Sequence, residues 1–126
     1  MRLLLDTHAL IWWMSTPDQL SARARALIED PDNHVVLSAV SAYEIEYKRP
    51  RSAQLAALPA DLEGAVADLG FAWLSLEVRH AVAAGRLSRL HGDPFDRFLA
   101  AVALSENLQV LTTDPKISAY GAPVIW

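Results

Sequence analysis

The chain has 126 residues, 52% of them hydrophobic, and a formal net charge of −4. That length predicts one domain, residues 1–126, with a core of its own, and the absence of cysteine excludes disulfides, zinc–thiolate centres and cysteine nucleophiles. The acidic balance gives no overall attraction to nucleic acid, so a polyanionic partner would need a local basic patch or a cation that inverts the sign of an acidic site.

No apolar run approaches the ~20 residues of a membrane helix. Residues 1–14 lack the charge pattern and cleavage site of a signal peptide. A soluble, cytoplasmic protein is the expectation.

In chain order, Leu3-Leu4-Leu5 lacks the alternation of a half-exposed strand and predicts a strand covered on both faces of a parallel sheet. It ends on Asp6-Thr7, and the carboxyl ends of strands are where open α/β sheets bind ligands. A short apolar stretch, His8 to Met14, holds Trp12 and Trp13 side by side. Adjacent helical positions cannot face the same way, so one of the two is expected to face a partner. Ser21 is placed to cap a helix running to about Asp30. Val35-Val36-Leu37 is a second strand with Ser38 at its carboxyl end, followed by a helix through about Lys48 that Pro50 stops. Lys48-Arg49-Pro50-Arg51 is the densest basic cluster of the chain.

Asp61 to Leu69 predicts a helix closed by Gly70, Phe71 to Leu74 a third strand, and Glu77 to about Leu87 a helix weakened at Gly85. Asp93 to Glu106 is the best-defined helix. Asp93 suits its N-cap, Pro94 its first position and Asp96 its third, and Asn107 suits a left-handed terminator. Gln109 to Thr112 is a fourth strand running into Thr113-Asp114-Pro115, and Pro123 to Trp126 a short last one. Strands alternating with helices predict a parallel sheet in an α/β sandwich.

Asp6, Glu44, Asp93, Asp96 and Asp114 all fall at strand ends or helix starts. Singly, each has a structural explanation. Asp6 can cap the helix near His8, and Ser41-Ala42-Tyr43-Glu44 matches a capping box. Asp93 and Asp96 favour a helix N-terminus, and Asp114 before Pro115 is an ordinary turn or cap residue. Together they converge on one edge of the sheet, where several carboxylates could not all stay ionised without a cation. Oxygen-only ligation suits Mg²⁺ or Mn²⁺ shared with substrate phosphates. Thr7, Ser38 and Thr113 place hydroxyls beside these acids. His8, His34, His80 and His91 show no ligand spacing and are expected at the surface or in packing.

Leu3-Leu4-Leu5-Asp6-Thr7-His8, Leu37-Ser38 through Ser41 and Glu44-Ile45, His91-Gly92-Asp93-Pro94-Phe95-Asp96-Arg97, and Leu111-Thr112-Thr113-Asp114 occur in one order over nearly the whole chain. This set resembles the PIN-domain toxins of the VapC family. The resemblance implies a PIN-like three-layer sandwich with a central parallel sheet of four to five strands flanked by helices. It also implies a Mg²⁺- or Mn²⁺-dependent endoribonuclease, the toxin of a toxin–antitoxin pair, that forms homodimers and is neutralised by a small antitoxin. Asp6, Glu44, Asp96 and Asp114 match the family's acidic quartet, while Asp93 is a cap, an outer ligand, or both. Water attacking in line would leave a 5′-phosphate and a 3′-hydroxyl. Lys48, Arg49, Arg51, Arg86, Arg89 and Arg97 are the candidates for gripping the RNA backbone. Two other readings are weighed. A receiver-type phospho-switch needs a paired acid after the first strand, where Asp6 stands alone. A PIN-like scaffold that binds RNA without cutting would be expected to have lost an acid, and none is missing here.

Overall fold

The computed structural model describes residues 1–88 and 93–126. Five parallel strands form one sheet: β1 (Arg2–Leu5), β2 (His34–Ser38), β3 (Ala72–Leu74), β4 (Gln109–Leu111) and β5 (Val124–Ile125). Their spatial order is β3-β2-β1-β4-β5, which puts the first strand at the centre. Leu4 pairs with Val36 on one side and Val110 on the other.

The run of three leucines is explained by this position. Side chains alternate across a strand, and both faces of β1 are covered. Leu3 and Leu5 join Val35, Leu37 and Leu111 in one apolar cluster, while Leu4 joins Val36 and Val110 in another. The first cluster is roofed by α1 (Thr7–Ser15), α2 (Ala22–Glu29), α3 (Ala39–Lys48), α4 (Ala53–Ala56) and α5 (Leu62–Asp68) through residues such as Leu10, Ile28, Ile45, Leu55 and Val66. The second is closed by α7 (Pro94–Glu106) and α8 (Pro115–Ala119), where Ala100 and Ala103 let the helix approach the sheet closely beside Leu99, Val102 and Ile117. A further helix, α6 (Val78–Arg86), packs on α7. This is the three-layer sandwich expected from the sequence.

Most helix ends follow the local signals. Ser21 accepts from the Ala24 N–H at 2.9 Å, and Asn107 ends α7 at φ 60°. The capping box expected at Ser41–Glu44 is a correction: α3 starts three residues earlier, at Ala39, with Ser38 accepting from the Val40 N–H at 3.1 Å. Ser41 and Glu44 therefore lie inside the helix and are available for something else. Both tryptophans find company within the chain and stay partly exposed. Trp12 sits between His8 and Trp126, and Trp13 packs on Phe71. His80, expected in packing or at the surface, is fully buried. Its Nδ1 accepts the Glu77 N–H at 2.9 Å and its Nε2 faces Glu106 Oε1 at 2.7 Å, tying α6 to α7.

Candidate acidic active site

Parallel topology gathers the acids. Asp6 follows β1, Glu44 lies in the helix after β2, and Asp114 follows β4. Because α7 leads into β4, its start, with Asp93 and Asp96, returns to the same carboxyl edge of the sheet. The functional and structural readings of these acids turn out to be compatible, since a carboxylate has two oxygens.

Asp6 uses Oδ1 to cap α1, accepting the Ala9 N–H at 2.7 Å, and offers Oδ2 to the hydroxyl of Thr112. Asp114 caps α8 through the Lys116 N–H at 2.9 Å, and Asp93 caps α7 through the Phe95 N–H at 2.9 Å. Asp96 is different. It is 8% exposed, and its Oδ2 is buried with no hydrogen-bond partner among the described residues. A buried oxygen of this kind is costly unless something else satisfies it.

Electrostatics shows which acids feel one another. Asp96 is pushed up to about 7, first by burial, then by the negative charges of Asp93 and Asp114. Asp6 is also raised, chiefly by burial and in part by Asp114, against the lowering effect of its bonds to Thr112 and Ala9 and of nearby His8. Desolvation and the crowding of like charges thus disfavour ionisation.

Glu44 is held apart from this crowd. It is 7% exposed, its Oε1 lies 2.7 Å from the Thr7 hydroxyl, and its Oε2 is 2.6 Å from Lys48 Nζ. Thr7 is also 2.9 Å from the Ser41 hydroxyl, so Thr7, Ser41 and Glu44 form one buried polar cluster. Thr7 therefore does stand beside an acid, as expected. Ser38 caps α3 and reaches no acid among the described residues.

Thr113, expected in the same supporting role, is exposed, and Thr112 takes the place foreseen for it. Besides binding Asp6, the Thr112 hydroxyl accepts the Asp114 N–H at 2.9 Å. Register carries the signal that finds it: Leu5 pairs with Leu111, so the next position opposite Asp6 is Thr112.

The basic residues divide. Arg49 donates to Glu46 at 3.1 and 2.8 Å, to the Leu55 and Leu58 carbonyls at 3.0 and 2.9 Å, and to the Pro59 carbonyl at 3.1 Å. All five N–H donors of its guanidinium are engaged. Arg97 donates to the Leu87 and Ser88 carbonyls and lies over the Tyr120 ring. Both are candidates for gripping phosphates from the sequence; in the fold backbone carbonyls engage both, each through its two terminal nitrogens. Lys48 is paired with Glu44 and sits 5.4 Å over the Phe95 ring. Arg51 and Arg86 are exposed and make no ion pair or hydrogen bond among the described residues. Arg89, like His91, lies outside the described residues.

No three acids or histidines among the described residues already stand close enough together to cage an ion. The donor set nonetheless fits a hard divalent cation: oxygen atoms only, an unpartnered buried carboxylate oxygen on Asp96, and neighbours whose charges burden one another. A concavity of about 320 Å³ beside Asp6 and Asp114, walled by His8 and Trp12, gives access from solvent.

The PIN domain family matches residues 3–123, so the chain belongs to the PIN-domain family. Within it, the chain is 26% identical to Ribonuclease VapC22 of Mycobacterium tuberculosis, over 95% of this chain and 92% of that protein. It is similar in fold to VapBC2 from Rickettsia felis bound to a promoter DNA fragment, with a TM-score of 0.75 at 17% identity, covering 100% of this chain and 99% of the other. FitAcB from Neisseria gonorrhoeae gives a TM-score of 0.69 at 22% identity, covering 98% and 96%.

Proposed function

We propose that this PIN domain is the toxin of a toxin–antitoxin pair and acts as a Mg²⁺- or Mn²⁺-dependent endoribonuclease in the cytoplasm. The observation that carries the reading is the gathering of Asp6, Asp96 and Asp114 at one sheet edge, with the buried Oδ2 of Asp96 left without a partner. Likeness to Ribonuclease VapC22 supports the substrate class, and likeness to VapBC assemblies supports an antitoxin partner. Among the described residues no helix is long and apolar enough to cross a membrane.

Asp6, Asp96 and Asp114 would hold the cation, with Glu44 joining if it exchanges Lys48 for the ion and with Asp93 shaping the charge around Asp96. Held by these residues, a divalent ion would offset charge developing on phosphoryl oxygens and would lower the pKa of water. The chain's own residues supply orientation. Ala9 N–H and the Thr112 hydroxyl fix both oxygens of Asp6, while Thr7 fixes one oxygen of Glu44. Such fixed carboxylates need not reorganise as the reaction proceeds. Hydrolysis in this setting leaves a 5′-phosphate and a 3′-hydroxyl, without using the 2′-hydroxyl. Of the candidates named from the sequence, Arg51 and Arg86 have side chains without another partner among the described residues and would meet the RNA backbone, together with Arg89.

A protein partner has a surface to use. Tyr43, Tyr47, Leu76, Phe95 and Phe98 line an apolar groove of about 500 Å³ between α3 and α7, and both tyrosines are about 60% exposed. An exposed apolar surface of this kind marks protein contacts, and it suits homodimer formation or antitoxin binding.

The test is incubation of the purified protein with a defined RNA in chelator, then with Mg²⁺ or Mn²⁺, and analysis of the new ends. Cleavage that needs the cation and leaves 5′-phosphates is expected. Equal cutting in excess chelator would refute the reading.

A further inference from the structure

A second cavity, also of about 320 Å³, opens on the other side of His8 between α1, α3 and α4. Its wall includes Thr7 and Glu44, and it shares His8 with the concavity beside Asp6 and Asp114; Tyr47, Arg51 and Gln54 also line it. We propose that this cavity is a recognition subsite for one unpaired RNA base beside the scissile phosphate, with Gln54 reading the base edge and Arg51 holding the adjoining phosphate. The inference rests on the ribonuclease reading above and names the form of RNA that it requires.

Size and lining both fit. The volume lies in the range of small-ligand pockets, roughly 300–1,000 Å³. Ile11, Ile45 and Leu55 supply an apolar floor, and Tyr47 is the kind of ring on which a base stacks. Gln54 carries the paired donor and acceptor that a base edge can meet. Its one side-chain bond among the described residues, from Nε2 to Ser15 Oγ, is long at 3.4 Å, and its Oε1 has no partner there. Arg51 is exposed and without a partner among the described residues, so its donors remain available.

The wall is also rigid. Arg51 and Gln54 flank Ser52, in a turn whose following carbonyls, at Leu55, Leu58 and Pro59, are gathered by Arg49. A recognition residue is useful only when its support is fixed, which gives Arg49 a positioning role in place of a phosphate contact. A cationic, amide-bearing cavity suits a nucleotide, whereas the apolar groove by Tyr43 and Phe98 suits a protein. A base inside a duplex cannot enter such a cavity, so the substrate must be single-stranded or looped where it is cut.

The experiment cuts a pool of randomised single-stranded RNA with wild type, Gln54→Ala and Arg51→Ala, sequences the new ends, and repeats one preferred sequence as a duplex. Wild type is expected to prefer one base at a position next to the cut and to leave the duplex intact. Gln54→Ala should keep its Tm and lose about tenfold in kcat/KM on the preferred sequence, so that the preference falls by that factor. Arg51→Ala should keep the preference but lower kcat/KM about tenfold and reduce the salt slope by about one. Base profiles identical in all three proteins, a duplex cut as fast as single strands, or variants that lose antitoxin binding alone would overturn the subsite while leaving the ribonuclease standing. A wild type that cuts no RNA at all would overturn both.

Discussion

Thr112 donates its hydroxyl proton to Asp6 across 106 positions of chain, and the same oxygen accepts the N–H of Asp114. One side chain thereby sets the orientation of the acid that follows β1 and of the turn that carries an acid after β4. Replacing it with valine keeps the shape and removes both bonds, leaving Asp6 Oδ2 buried and unsatisfied. A loss of about 1–3 kcal/mol in stability is expected, together with a clear fall in RNA cleavage. Thr113→Val, at the exposed neighbour, should change neither. Denaturant titrations and cleavage rates for the two variants decide between them.

Asp96 and Asp93 should separate stability from chemistry. Asp96→Asn removes the crowded charge and no cap, so metal-free protein should be at least as stable as wild type at neutral pH while RNA cleavage disappears. Asp93→Ala deletes the α7 cap and should cost about 1 kcal/mol, whereas Asp93→Asn, which can still cap, should retain most stability and partial activity. Thermal midpoints and cleavage rates check all three. An inactive Asp93→Asn beside an active Asp96→Asn would reverse the assignment.

The raised pKa of Asp96, about 7, has a definite sign. The folded state holds this proton more tightly than the unfolded chain, whose aspartates titrate near 3.9. The folded state thus binds more protons, and stability falls as pH rises from about 4 to 7. In chelator, the Tm of wild type should decline over that window more than the Tm of Asp96→Asn. Adding Mn²⁺ at pH 7 should recover the difference in wild type alone. Parallel Tm profiles for the two proteins would show that Asp96 is ionised throughout.

Arg49→Ala should act on the fold. Loss of three carbonyl partners and the pairing with Glu46 is expected to cost about 2 kcal/mol, since the part-buried carbonyls of Leu55 and Leu58 lose their donor. The salt dependence of RNA binding should keep its slope, provided measurements are made well below the variant's Tm. A slope reduced by one would return Arg49 to the phosphate contacts.

Much of this was legible in the residues. The leucine run announced a two-faced central strand, and the alternation of strands with helices gave the sheet. The Asp-Pro start and Asn107 end of α7 were marked by side chains with strong local preferences. Less visible was what depends on distant pairing. The roles of Thr112 and Thr113 differ by one step of strand register, which residue types do not show. Ser41 and Glu44 matched a capping box in spacing, but the helix had already been started by Ser38, and Thr7 claimed them from another element. Arg49 and Arg97 looked like phosphate ligands because a free guanidinium and one engaged by carbonyls have the same sequence.

Asp6 and Asp114 each cap a helix besides their proposed role as ligands, whereas Asp96 caps none, and this has a genetic consequence. In a screen for survivors of forced expression, substitutions at Asp6 or Asp114 would weaken a helix start as well as the site, and the protein would fall in abundance. Substitutions at Asp96 would escape at full abundance. The steady-state amount of each surviving variant therefore sorts the acids by whether the fold also depends on them, and Asp96 is the position where a silent but intact copy should accumulate.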